Sequence, residues 1–172
     1  MHLKNFPELK EKKIELRTSG QIGINISSSE NPQKINYQMK IEKEVIFKAQ
    51  KYLFDNTTLW KSTGGAHMAG LYHLDGSPII INEDVARHNT IDKIIGYALI
   101  KDIKFSETFV VISGRLSTSM VNKIIRAKIP ILASRAAPLS GGVDRARAAN
   151  LTLVGFVREP EFNIYSNPER IK

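Results

Sequence analysis

At 172 residues, 42% of them hydrophobic, the chain is long enough to bury a core and reads as one main domain preceded by an arm. Lys and Arg number 25 against 17 Asp and Glu, a net charge of +8 that favours an anionic partner: a phosphate-bearing cofactor, a nucleic acid or an acidic protein surface. Cysteine is absent, which excludes disulfides, thiolate metal sites and cysteine nucleophiles; with no signal-like or membrane-length apolar run, a cytoplasmic soluble protein is expected.

Residues 1–35 read as an arm and flexible loop, the first stretch interrupted by Pro7 and the second rich in Gly and Ser, with a short strand at Ile22 to Ile26. The main domain spans 36–172. From Asn36 a helix is expected on the stripe Ile41, Val45, Ala49, Leu53, ending near Asp55 to Trp60. The Gly64-Gly65 turn leads into a strand at His67 to Leu74, and Asp75-Gly76 signals a hairpin into the buried-strand run Pro78 to Ile81. A helix starting at Asn89 or Thr90 directs Ile91, Ile94, Ile95, Ala98 and Leu99 to the core. Thr108 to Ile112 is a strand buried on both faces. The next helix carries Met120, Val121, Ile124 and Ile125, with Ser117 as N-cap and Pro130 as stop. A short strand over Ile131 to Ser134, a loop RAAPLSGG, a helix over Val143 to Ala149 and a strand over Leu151 to Val157 complete the chain. This alternation predicts a sheet with parallel pairs.

In such sheets ligands bind beyond the carboxyl ends of the strands, where turns into helices expose N–H groups. Three polar turns fall there: NEDVARHNT, SGRLSTS and SRAAPLSGG. Arg87, Arg115 and Arg135 are expected to converge on that edge, and a planar guanidinium suits bidentate contact with phosphate or carboxylate. Each arginine alone could equally be solvated or paired with Glu83 or Asp84. Together, beside glycines and serines, they favour an anion site.

Other chemistry is less well supported. His67 and His73 share a face only if the strand is uninterrupted, and a zinc site wants three or four ligands, so no metal is expected. Ser113 and Ser134 sit at strand ends but lack the G-x-S-x-G frame. The aromatics show no pattern of an RNA-binding sheet, so a nucleic-acid partner is not expected.

The motifs TGGAH (63–67), EDVARHNTIDKIIG (83–96), SGRLS (113–117) and SRAAPLSGGVDRA (134–146), in this order and spacing, resemble the FdhD family, the accessory sulfurtransferases of formate dehydrogenase. The resemblance covers roughly Ser19 to the C-terminus, the family's main domain, without its usual N-terminal part. It implies an α/β, cytidine-deaminase-like three-layer fold with a mixed sheet flanked by helices. It also implies binding of a molybdenum or tungsten bis-guanine-dinucleotide cofactor or a guanine nucleotide. The implied partners are a formate dehydrogenase-type enzyme and a cysteine desulfurase, and the implied assembly is a homodimer.

Matched by motif to the cofactor-binding pattern are Gly64, Gly65, His67, Arg87, His88, Asn89, Asp92, Lys93, Ser113, Gly114, Arg115, Ser134 and Pro138. The family's C-G-x-C-G sulfur carrier corresponds to Ser19-Gly20-Gln21-Ile22-Gly23, with Ser19 and Ile22 at the cysteine positions. A persulfide needs a thiolate, so cysteine-based sulfur transfer is not expected and no catalytic residue is assigned. Zinc deamination is not expected either: Met68-Ala69 follow His67 and Leu139-Ser140 follow Pro138, where H-x-E and P-C-x-x-C would stand. The alternatives are a thiol-independent phosphate-handling hydrolase using His88, or a regulatory subunit paired with another chain.

Overall fold

The protein is described here by a computed structural model that covers residues 14–16, 22–24 and 32–172. The chain divides into two compact units, Met1–Asn31 and Pro32–Lys172. In the first, β1 (Ile14–Leu16) and β2 (Ile22–Ile24) pair antiparallel, with Ile14 opposite Ile24. The strand expected over Ile22 to Ile26 is thus present in its first three residues, whereas Ser19 lies outside the described residues.

The second unit contains β3 (His67–His73), β4 (Pro78–Asp84), β5 (Thr108–Ile112), β6 (Ile131–Ser134), β7 (Thr152–Arg158) and β8 (Glu161–Ser166). They form one sheet in the order β4-β3-β5-β6-β7-β8. The pairs β5/β6 and β6/β7 are parallel and the others antiparallel, so the sheet is mixed. Five helices accompany it: α1 (Lys43–Asp55), α2 (Leu59–Thr63), α3 (Arg87–Ile100), α4 (Thr118–Arg126) and α5 (Ser140–Ala148).

The two-residue period of the strands divides the core between the sheet's faces. On β5, Phe109 and Val111 pack with Ile46, Phe47, Ala49 and Leu53 of α1. Val110 and Ile112 pack instead with Ile91 and Ile94 of α3, Met120 and Ile124 of α4 and Ala146 of α5. The result is three layers, with α1 on one face and α3, α4 and α5 on the other. All five residues of β5 are buried, as its apolar run predicts.

Several expectations need correction. The first helix begins at Lys43 rather than Asn36, because Ile41 is held extended: its N–H donates to the Arg170 carbonyl at 3.0 Å and its carbonyl accepts from the Lys172 N–H at 3.0 Å. The helix α3 begins at Arg87, two or three residues earlier than expected, and the Thr90 hydroxyl donates back to the Arg87 carbonyl at 2.7 Å. Leu99 is exposed because the buried stripe of α3 runs Ile91, Ile94, Ala98. The run Pro78 to Ile81 is half-buried, since β4 is an edge strand. Ser117 occupies the N-cap position of α4 without a side-chain cap bond, and α4 ends at Arg126, before Pro130. The helix α5 starts at Ser140 and so includes both glycines assigned to the loop. Neither α2 nor β8 was expected.

One buried cation fastens the C-terminus to the start of this unit. Arg170 is 3% exposed, and its guanidinium donates to the carbonyls of Ile35, Tyr37 and Asn150 and to the Thr152 hydroxyl at 2.9–3.2 Å. Burial lowers its pKa, but a guanidinium stays charged in proteins. Removing it breaks four hydrogen bonds and strands the Tyr37 and Asn150 carbonyls, so Arg170→Ala is expected to cost about 3 kcal/mol or more in urea denaturation; unchanged stability would refute the role. Among the described residues the Tyr72 hydroxyl, in contrast, is buried without a partner. Tyr72→Phe is therefore expected to leave stability unchanged or raise it by about 1 kcal/mol in the same assay.

Candidate functional site

The relative directions of β4, β5, β6 and β7 bring their carboxyl ends to one edge of the sheet, where β3 begins. There the chain turns into α3, α4 and α5, and none of these three helices has a side-chain cap at its N-terminus. Their first N–H groups give the edge a positive potential.

Serine hydroxyls join the turns. Ser134, wholly buried at the end of β6, donates to the Gly114 carbonyl at 2.7 Å and accepts from the Ala136 N–H at 3.0 Å. Ser113 ties the end of β5 to the start of β3: its hydroxyl accepts from the Met68 N–H at 2.9 Å, and its own N–H donates to the Met68 carbonyl at 3.0 Å. Farther along, Leu116 and Pro138 form a bridge, the Leu116 N–H donating to the Ala137 carbonyl and the Leu139 N–H to the Leu116 carbonyl. Gly142 of α5 lies so close to the Leu116 carbonyl that a Cβ there would collide with it. The second glycine of LSGG thus permits this approach of helix and turn.

Around this frame His67, Arg87, Gly114 and Arg115 come together. A Cβ on Gly114 would lie 3.2 Å from Arg87 Cβ and 3.5 Å from His67 Nδ1, so the glycine leaves a small cradle between them. Burial, then the charges of Arg87 and Arg115, holds the His67 pKa below its ordinary value. Burial, Arg87 and Lys123 do the same for His88, whose Nε2 is 2.9 Å from Ser119 Oγ. Among the described residues the Arg87 Nε is buried with no hydrogen-bond partner.

The nearby carboxylates are engaged elsewhere. Glu83 accepts from the N–H groups of Thr58, Leu59 and Trp60 at 2.6–3.0 Å and so caps α2. Burial alone would raise its pKa, but these donors outweigh it and hold the pKa below the usual value. Asp84 pairs with Lys93 at 2.7 Å and accepts from Asn89, while Asp92 pairs with Lys123 at 2.6 Å. Among the described residues neither Arg87 nor Arg115 makes a salt bridge.

The sequence-derived residues therefore separate by what they touch. His67, Arg87, His88, Gly114 and Arg115 face one another or act on one another's charge, and Ser113, Ser134 and Pro138 build the turns. Asn89, Asp92 and Lys93 occupy ionic or hydrogen-bonded contacts on α3, and Gly64, with φ +65°, ends α2 just before Gly65. Arg135 departs from the expected convergence: its guanidinium lies 5.0 Å from the Phe54 ring centroid. Ser119 and Lys123 escaped the sequence reading; the serine-rich STS run was the available sign of the first.

Among the described residues no group of three His, Cys, Asp or Glu is placed to hold a metal ion. A cavity of about 560 Å³, lined by Asn36 to Lys40, Asn150, Glu169 and Arg170, contains none of the candidate residues. It lies where β7 begins, at the opposite end of the sheet.

Comparison with known proteins identifies the family. The sequence profile of the FdhD/NarQ family matches residues 3–172. A sulfur carrier protein FdhD from Methanothermobacter thermautotrophicus is 42% identical over 137 residues, which are 80% of this chain and 54% of that protein. The protein of the same name from Sulfolobus acidocaldarius is 44% identical over 133 residues, 77% of this chain and 53% of that one. The chain thus spans about half the length of these relatives. A crystal structure described as that of a formate dehydrogenase accessory protein from Desulfotalea psychrophila superposes with a TM-score of 0.76 at 29% identity, covering 94% of this chain and 70% of that one.

The electrostatics predict a pH effect. His67 and His88 have folded-state pKa values below the ordinary 6.5, so the unfolded chain binds more protons there. Their contribution to stability is complete above about pH 6.5 and is lost as pH falls below it. A His67→Gln, His88→Gln variant should show a shallower fall of Tm on the acid side of pH 6.5. An unchanged slope would contradict this assignment.

Proposed function

The chain is a member of the FdhD/NarQ family, and from that premise we propose that it binds an anionic, nucleotide-bearing cofactor on behalf of a formate dehydrogenase-type enzyme. The cargo is a molybdenum or tungsten bis-guanine-dinucleotide, or a guanine nucleotide with the same phosphates. The observation that carries this reading is a pair of arginines, Arg87 and Arg115, acting on His67 beside three uncapped helix N-termini while Glu83, Asp84 and Asp92 are otherwise engaged.

The residues fit a pyrophosphate. The Arg87 Nε is a buried donor awaiting an acceptor, guanidinium groups bind phosphate oxygens bidentately, and the Gly114 cradle admits a ligand atom where a side chain would block it. The role of these side chains is to bind and orient. Sulfur transfer through cysteine is not part of the proposal. The relatives are named sulfur carriers, but a transferable sulfur needs a thiolate, and these 172 residues contain no cysteine.

One contact favours a second reading, a phosphate-handling hydrolase: the 2.9 Å approach of His88 Nε2 to Ser119 Oγ, within the reach of a base and a nucleophile. Phosphatase turnover abolished in His88→Ala would support it.

Calorimetry with GDP tests the main proposal. The native chain is expected to bind GDP, and Arg115→Ala to bind it at least about tenfold more weakly, the loss of one charge-assisted contact. A native chain that binds no GDP overturns the reading.

A further inference from the structure

His67, the first residue of β3, stands half-buried among cations. From α3 it faces Arg87 and His88, and from the turn after β5 it faces Arg115. The carboxylate opposite it on β4 is Asp84, which is committed to Lys93 at 2.7 Å and accepts from Asn89 at 3.1 Å. Asp92 of α3 is committed in the same way to Lys123 of α4, and Glu83 to the start of α2. Among the described residues, then, no uncommitted carboxylate stabilises a proton on this ring.

The ring itself is uncommitted. Among the described residues no group hydrogen-bonds either of its nitrogens, whereas His88 Nε2 is 2.9 Å from Ser119 Oγ, itself 3.0 Å from Ser117 Oγ. A Cβ on Gly114 would lie 3.5 Å from His67 Nδ1 and 3.2 Å and 3.4 Å from the Cβ and Cδ of Arg87. The cradle left by this glycine thus has an imidazole nitrogen on one side and the Arg87 side chain on the other. An anion oxygen seated there is within reach of both.

With the site empty, burial first and then the guanidinium groups of Arg87 and Arg115 disfavour the charged ring, so His67 is neutral at neutral pH. A phosphate group reverses the balance: it offsets the guanidinium charges and places a negative charge beside the imidazole, which favours the protonated form. The neutral ring has one N–H and the protonated ring two, so the added proton also supplies the anion with a further donor.

We propose that His67 takes up a proton from solvent as the anion binds, so that the edge holds its cargo more tightly on the acid side of neutrality and more loosely on the basic side. The inference rests on the anion-binding reading above and adds a regulation to it. In the pH range between the ring's titration in the empty and in the filled site, each unit fall in pH tightens binding by up to about tenfold, the slope of about one proton taken up per anion.

The test is GDP calorimetry near neutral pH in two buffers of different ionisation enthalpy, on the native chain and on His67→Gln. The phosphates of GDP also titrate there, but equally for both chains, so the difference in proton uptake between them reports His67. The native chain is expected to take up about half a proton or more beyond His67→Gln. Nitrogen-15 shifts of the His67 ring give a second reading that needs no variant: the titration midpoint is expected to move up by about one pH unit or more when GDP saturates the native chain. A midpoint unmoved by saturating GDP overturns the coupling while leaving the anion site standing, as does equal proton uptake by the native chain and a folded His67→Gln. A native chain that binds no GDP sinks both.

Discussion

The buried hydroxyl of Ser134 is the joint on which the candidate site depends. By donating to the Gly114 carbonyl and accepting from the Ala136 N–H, it fixes the turn after β5 against the turn after β6. Each such bond contributes only about 1 kcal/mol net, but the Ser134 hydroxyl is wholly buried, and leaving it unsatisfied would cost more than the bond supplies. Ser113 repeats the device toward β3, and Gly142 lets α5 close on Leu116. Three turns from distant parts of the chain thereby share one rigid edge.

On that edge the distribution of charge matters more than its total. A net charge of +8 could be spread evenly as a solvated surface. Here, instead, Glu83 is committed to the start of α2 and Asp84 and Asp92 to lysines, so among the described residues no carboxylate neutralises the arginines beside His67. Burial, and after it the charges of Arg87 and its neighbours, holds the His67 and His88 pKa values below the ordinary value.

Much of this was legible in the sequence, because short-range signals dominate it. Glycine and serine between an apolar strand and an amphipathic helix mark a turn at a strand end, and such turns cluster once the strands are parallel. What escaped depends on long-range partners. Ile41 fits the helical stripe but is drawn into extended pairing by residues 170–172, and Arg135 is taken by Phe54 on the α1 face. The capping role of Glu83 spans more than twenty residues and has no local signature.

The central claim is one of location: an anionic nucleotide binds at the edge built by Ser113 and Ser134. A nitrogen-15 NMR titration of the 172-residue chain with GDP reads location directly. The account predicts shifts at His67, Gly114, Arg115 and Ala136 and at the Arg87 Nε, with the far end of the sheet unmoved. Shifts confined to the cavity of Asn36 to Lys40 and Asn150, with the Gly114 and Ala136 amides unmoved, would contradict it.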